Sequence, residues 1–113
     1  MIETFPNPAP QRNYTIQHTC SEFTSVCPKT GQPDFANVIL EYIPDGLCIE
    51  LKSLKLYYYS FRNEGIYYEA VVNRLLDELS QCCKPRWMRV TGEFNVRGGI
   101  GSVISAETGA QPA

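Results

Sequence analysis

Glu50-Leu51-Lys52-Ser53-Leu54-Lys55-Leu56-Tyr57-Tyr58-Tyr59-Ser60-Phe61-Arg62 and, a few residues on, Tyr67-Tyr68-Glu69-Ala70-Val71-Val72-Asn73-Arg74-Leu75-Leu76-Asp77-Glu78-Leu79 mark a change of hydrophobic period in this chain. In the first run Leu51, Leu54, Tyr58 and Phe61 fall three or four residues apart, as one face of a helix requires. In the second, Val71, Val72, Leu75, Leu76 and Leu79 do the same. Asn63 and Gly65 break the gap and Pro85 closes the second run, so the spacing predicts helices over 50–62 and 67–84. On either side the period is two. Asn13–Cys20 and Phe35–Ile43 alternate as strands, the second closed by Pro44-Asp45-Gly46. Trp87–Val96 and Ile100–Glu107 form another pair around Gly98-Gly99. Residues 1–12, with Pro6, Pro8 and Pro10, read as an extended arm, 21–34 as a loop and 108–113 as a flexible tail. The order ββααββ predicts an α+β domain, an antiparallel four-stranded sheet with both helices on one face.

Composition sets the outer bounds. The 113 residues allow a single domain, here taken as 1–113. Hydrophobic residues make up 43% of the chain, which argues against disorder, and no apolar run reaches the ~20 residues of a membrane helix. The first residues have neither a basic head nor an apolar stretch, so no secretory signal is expected. Ten basic against twelve acidic residues leave a net charge of -2, a poor balance for gripping nucleic acid. Five cysteines, an odd number without a signal, point to reduced thiols in the cytoplasm rather than to a disulfide framework. A metal site is not expected either: there is no Cys-x-x-Cys pair, His18 is the lone histidine, and Cys82 and Cys83 are adjacent.

Three segments carry the residue types of chemistry. In Ser25-Val26-Cys27-Pro28-Lys29-Thr30-Gly31-Gln32-Pro33-Asp34-Phe35 a thiol sits in a Pro- and Gly-restrained loop, seven residues before a carboxylate. A cysteine needs a neighbour to take its proton before it attacks near neutral pH, and Asp34 is placed to do so; a buried thiol in a well-made turn is the plainer alternative. Lys52 and Lys55, three apart, share a helix face and suit either a phosphate clamp or a solvated lysine face, with Glu50 favourably placed in the first turn. Glu69, in the first turn of the second helix, is a carboxylate able to accept two N–H groups from a purine edge, or a surface residue that helps the helix start. Arg97-Gly98-Gly99-Ile100-Gly101 lacks the G-x-G-x-x-G spacing and lies between strands, which excludes a Rossmann half and leaves a glycine turn beside an arginine.

Together SVCPKTGQPDF (25–35), ELKSLKLYYYSFRN (50–63), the Glu69 position and FNVRGGI (94–100) resemble the QueF family over roughly Phe5 to Glu107. These are NADPH-dependent reductases of 7-cyano-7-deazaguanine in queuosine biosynthesis, and the likeness is to the short single-domain type. The resemblance implies the tunnelling fold shared with GTP cyclohydrolase I, whose subunits close into barrels with active sites at their boundaries. It implies that Cys27 attacks the nitrile carbon to form a thioimide and that Asp34 moves the protons. Glu69 would hold the deazaguanine through its ring N–H and exocyclic amine. Lys52, Lys55 and Arg97 would meet the phosphates of NADPH, with no metal and no direct contact to nucleic acid. Family members often carry histidine directly before the glutamate. Tyr68 stands there in this chain, and a phenol yields its proton less readily, so Tyr68 is not counted as catalytic; His18 is read as packing. Two alternatives share the fold: a relative that joins an amine donor to the nitrile base in tRNA, for which the two-lysine run has no use, and a non-catalytic purine-binding barrel, for which Cys27 and Asp34 together have none.

Overall fold

Val38, Leu40 and Tyr42 alternate with Asn37, Ile39 and Glu41 along one strand, and the first set is fully buried. That alternation builds the inner face of a four-stranded antiparallel sheet in a computed structural model that describes residues 2–111. In chain order the elements are β1 (Thr4–Pro6), β2 (Ile16–Val26), β3 (Pro33–Ile43), β4 (Leu47–Ile49), α1 (Leu51–Tyr59), α2 (Tyr68–Cys83), β5 (Trp87–Arg97) and β6 (Ile100–Gly109). The large sheet runs β2-β3-β5-β6, and a small separate sheet pairs β1 with β4. Leu40 lies opposite Val90 and Tyr42 opposite Met88. Val71, Val72, Leu75 and Leu79 of α2 close over that row, all fully buried. At Gly92 helix and sheet leave no room for a side chain: a Cβ there would meet Phe94 Cε2 at 2.7 Å and Val72 Cγ2 at 3.0 Å.

The four expected strands and both helices are present, and the corrections are local. The first strand does not stop at Cys20 but runs on to Val26, because a β-bulge lies between Cys20 and Phe23. The extra residue breaks the alternation, which is why the stretch reads as loop in sequence. It also reverses which side chains face inward: Phe23 and Ser25 are buried, where even-numbered residues point inward before the bulge. The loop is thereby cut to residues 27–32. The arm is a strand over Thr4–Pro6, paired to β4 and fastened to α1 by Glu3 N–H donating to Ser53 Oγ at 2.8 Å and Glu50 N–H to Glu3 O at 2.9 Å. Glu50 is not inside the first turn but caps it, its carboxylate accepting the N–H groups of Lys52 and Ser53, both at 2.8 Å. The expected tail starts inside β6, which includes Thr108 and Gly109; residues 112–113, like residue 1 of the arm, lie outside the described residues.

Candidate active site

Asp34 is the first inward-facing residue of β3, in the same row as Ala36, Val38 and Leu40, and is only 4% exposed. A carboxylate so buried needs partners. Arg97 supplies an ion pair, Nε to Oδ1 at 2.8 Å, and the Tyr68 hydroxyl donates to the same oxygen at 3.2 Å. Directly across on β2 stands Ser25, whose buried hydroxyl has no hydrogen-bond partner among the described residues. Tyr68 is held flat by Phe94, the rings stacked 3.9 Å apart at 11°. Burial first, then the charge of Asp34 and the hydrogen bond to it, push the Tyr68 phenol up, so it stays a proton donor.

Cys27 follows β2 immediately. Its N–H donates to Gln32 O and its carbonyl accepts from Gly31, both at 2.8 Å, which closes a tight loop over residues 27–32. Gly31 has φ +72, a value that favours glycine. The base of the loop is clamped from outside, since Val26 N–H donates to Glu64 O at 3.0 Å and Ile66 N–H to Val26 O at 3.1 Å. Within the loop the Thr30 hydroxyl, then the backbone N–H groups of Thr30 and Lys29, hold the Cys27 thiol below its ordinary range; desolvation and the Asp34 charge oppose them. The result is a half-buried thiol of lowered pKa one short loop away from a buried, hydrogen-bonded carboxylate. That pairing suits addition of sulfur to an electrophilic carbon with proton transfer beside it.

The six residues singled out from sequence fall into two groups. Cys27, Asp34 and Arg97 gather at one end of the sheet, where Glu69, the exposed residue after Tyr68, opens α2. Lys52 and Lys55 are exposed on α1 and make no ion pair among the described residues. Lys55 instead borders a cavity of about 380 Å3 between α1 and β2, walled by Tyr58, Tyr59, Arg62 and His18. The Tyr58 hydroxyl there is buried without a protein partner among the described residues, and the Arg62 guanidinium lies 5.0 Å over the Tyr59 ring. Sequence reasoning missed Thr30 and Gln32. Thr30 and Gln32 lay inside the quoted loop, but both are exposed, and their partners come from the loop's own turn and from Arg97.

Residues 33–113 match the family described as QueF-like protein. The chain is 60% identical over 106 residues to the NADPH-dependent 7-cyano-7-deazaguanine reductase of Nitrosococcus oceani, covering 94% of this chain and 82% of that one. It is 56% identical over 112 residues to the enzyme of the same name from an Anaeromyxobacter species, covering 99% and 92%. The chain belongs to the QueF-like family. Among solved structures, the archaeosine synthase QueF-Like in its apo form superposes with a TM-score of 0.79 at 26% identity, covering 87% of this chain and 96% of that one. The ββααββ arrangement is accordingly the tunnelling fold that the sequence motifs implied.

Proposed function

We infer that this chain is an NADPH-dependent reductase of 7-cyano-7-deazaguanine, converting the nitrile to the aminomethyl group in the making of queuosine. The observation that supports it best is the lowered thiol of Cys27 one short loop away from buried Asp34, in a chain more than half identical to reductases of that name. In this reading the Cys27 thiolate adds to the nitrile carbon, and the proton it lost reaches the nitrile nitrogen through Asp34, giving a neutral thioimide with nothing released. NADPH supplies one hydride in each of two rounds, so that the nitrile, two NADPH and two protons become the primary amine and two NADP+. Between the rounds the carbon–sulfur bond breaks and Cys27 leaves as thiolate. Glu69 accepts the ring N–H and exocyclic amine of the deazaguanine.

The α1 side of the molecule fits the cofactor in charge and shape. Lys55 borders an aromatic-walled cavity that Arg62 and Glu22 also line, and Lys52 is exposed one turn away on α1, a donor set suited to a phosphorylated nucleotide half. Arg97, expected to join them, has its guanidinium on Asp34, Gln32 and Pro33 instead. We further propose that the chain works as a homo-oligomeric ring in the cytoplasm. Among the described residues the outer side of β6 is unpaired, as is that of β2 apart from a bridge between Val26 and Gly65, and none of the five cysteines is in a disulfide. No described helix is long and apolar enough to cross a membrane. The structural likeness to an archaeosine synthase favours a second reading, transfer of an amine to a nitrile base in tRNA. One experiment separates the two: purified protein is mixed with 7-cyano-7-deazaguanine and NADPH while cofactor absorbance is followed. Consumption of two NADPH per nitrile supports the reductase; no consumption overturns it.

A further inference from the structure

We propose that Arg97 is a positioning residue for Asp34 in the covalent step, and that NADPH binding does not depend on it. This rests on the reductase reading above and assigns Arg97 to a different half of that reaction. Three observations carry it. The guanidinium is committed on every nitrogen: Nε to Asp34 Oδ1 at 2.8 Å, one terminal nitrogen to Gln32 Oε1 at 2.6 Å, and the other to the Pro33 carbonyl. With each nitrogen already facing an acceptor of the chain, a bidentate grip on a phosphate would compete with these contacts. Second, all three acceptors belong to consecutive residues 32–34, so Arg97 fastens the end of the Cys27 loop and the carboxylate in one grip.

Third, the backbone is built to deliver this side chain. Phe94 faces the core, and by simple alternation Arg97 would fall on the opposite face of the sheet. Between Phe94 and Arg97 the register of β5 against β6 shifts, with three steps on β5 matched by two from Ser102 to Ile100. That bulge turns Arg97 inward onto Asp34. The two-residue turn Gly98-Gly99 that follows, with φ +57 and +81, lets the hairpin close straight after it. With Tyr68 donating to the same carboxylate oxygen, Asp34 is held from two sides and cannot swing away from the thiol loop.

The test measures two quantities on each variant: the rate of thioimide formation on Cys27 with 7-cyano-7-deazaguanine alone, and the KM for NADPH in full turnover. For Arg97→Gln we expect adduct formation to slow by about tenfold or more, the scale of one lost charge-assisted contact, with KM for NADPH changed by less than about twofold. Arg97→Lys, which keeps the charge but not the fork, should recover part of the rate. Tyr68→Phe, which keeps the ring on Phe94, should also slow the adduct and leave KM alone, and it tests the grip on Asp34 if Arg97→Gln does not fold. Adduct formation at the wild-type rate in Arg97→Gln with KM raised tenfold would overturn the inference and return Arg97 to the cofactor. If the wild-type protein itself forms no adduct, the reductase reading fails first, and the inference with it.

Discussion

The Thr30 hydroxyl, which accepts from Gln32 N–H at 3.2 Å, is the largest influence holding the Cys27 thiol below its ordinary range. A group whose pKa is lowered is ionised over a wider span of pH, so wild-type adduct formation should reach half its plateau below the ~8.5 of a free cysteine. Thr30→Val removes the hydroxyl at almost constant volume. Its half-rate pH should rise toward the free value, so that the variant is slower near neutrality and converges with wild type at high pH; an unshifted curve would mean that the hydroxyl does not act on the sulfur. Lys52 and Lys55 make a second prediction at this scale. Each is exposed and unpaired among the described residues, so Lys52→Ala or Lys55→Ala should leave the fold and the adduct untouched. The KM for NADPH should rise by an amount corresponding to about 1.5–3 kcal/mol. Unchanged KM in both variants would make them a solvated face. Cys27, Asp34 and Glu69 are singled out in sequence by short motifs, and the structure sets Asp34 at the end of the Cys27 loop. The position of Arg97 was legible, but its partner was not.

Partners are decided by bulges, and bulges are elements that sequence hides. The helices were readable because five apolar residues from Val71 to Leu79 fall on one stripe, and β3 because nothing interrupts its alternation. The bulge in β2 at Ser21-Glu22 looks like the start of a loop, since an extra residue destroys the period that identifies a strand. The same holds between Phe94 and Arg97, where one added residue sends the arginine to the other face. The β1–β4 pairing was invisible for another reason: three-residue strands have no period to read, and Asn7 anchors them through long-range contacts, its Nδ2 donating to Asp45 O at 2.7 Å. Gly92 tests how the α2–sheet contact supports the site. Gly92→Ala places a methyl against Phe94 and Val72, and the aromatic ring must move. Because Tyr68 stacks on that ring, we expect a stability loss of about 1–3 kcal/mol by denaturant melt, together with slower adduct formation. Full activity at reduced stability would show that the stack does not hold Tyr68.

At the scale of the whole molecule, the described residues leave the β6 edge and most of the β2 edge open, and Lys52 and Lys55 stand apart on α1. In the proposed ring, β2 of one copy would close against β6 of the next, and α1 of one subunit would serve the site of its neighbour. Light scattering should therefore give a mass several times that of the chain. Mixing inactive Cys27→Ala with a Lys52→Ala/Lys55→Ala double variant should restore part of the turnover in mixed rings, whereas a fully active monomer would contradict the assembly. The proposed reaction passes through a bond between Cys27 and the nitrile carbon, and intact-protein mass spectrometry reads that bond directly. With 7-cyano-7-deazaguanine and no NADPH, the chain should gain the full mass of the nitrile, located to Cys27 by peptide mapping, lost on adding NADPH and absent in Cys27→Ala. No mass gain in the wild type, or the same gain in Cys27→Ala, would contradict it.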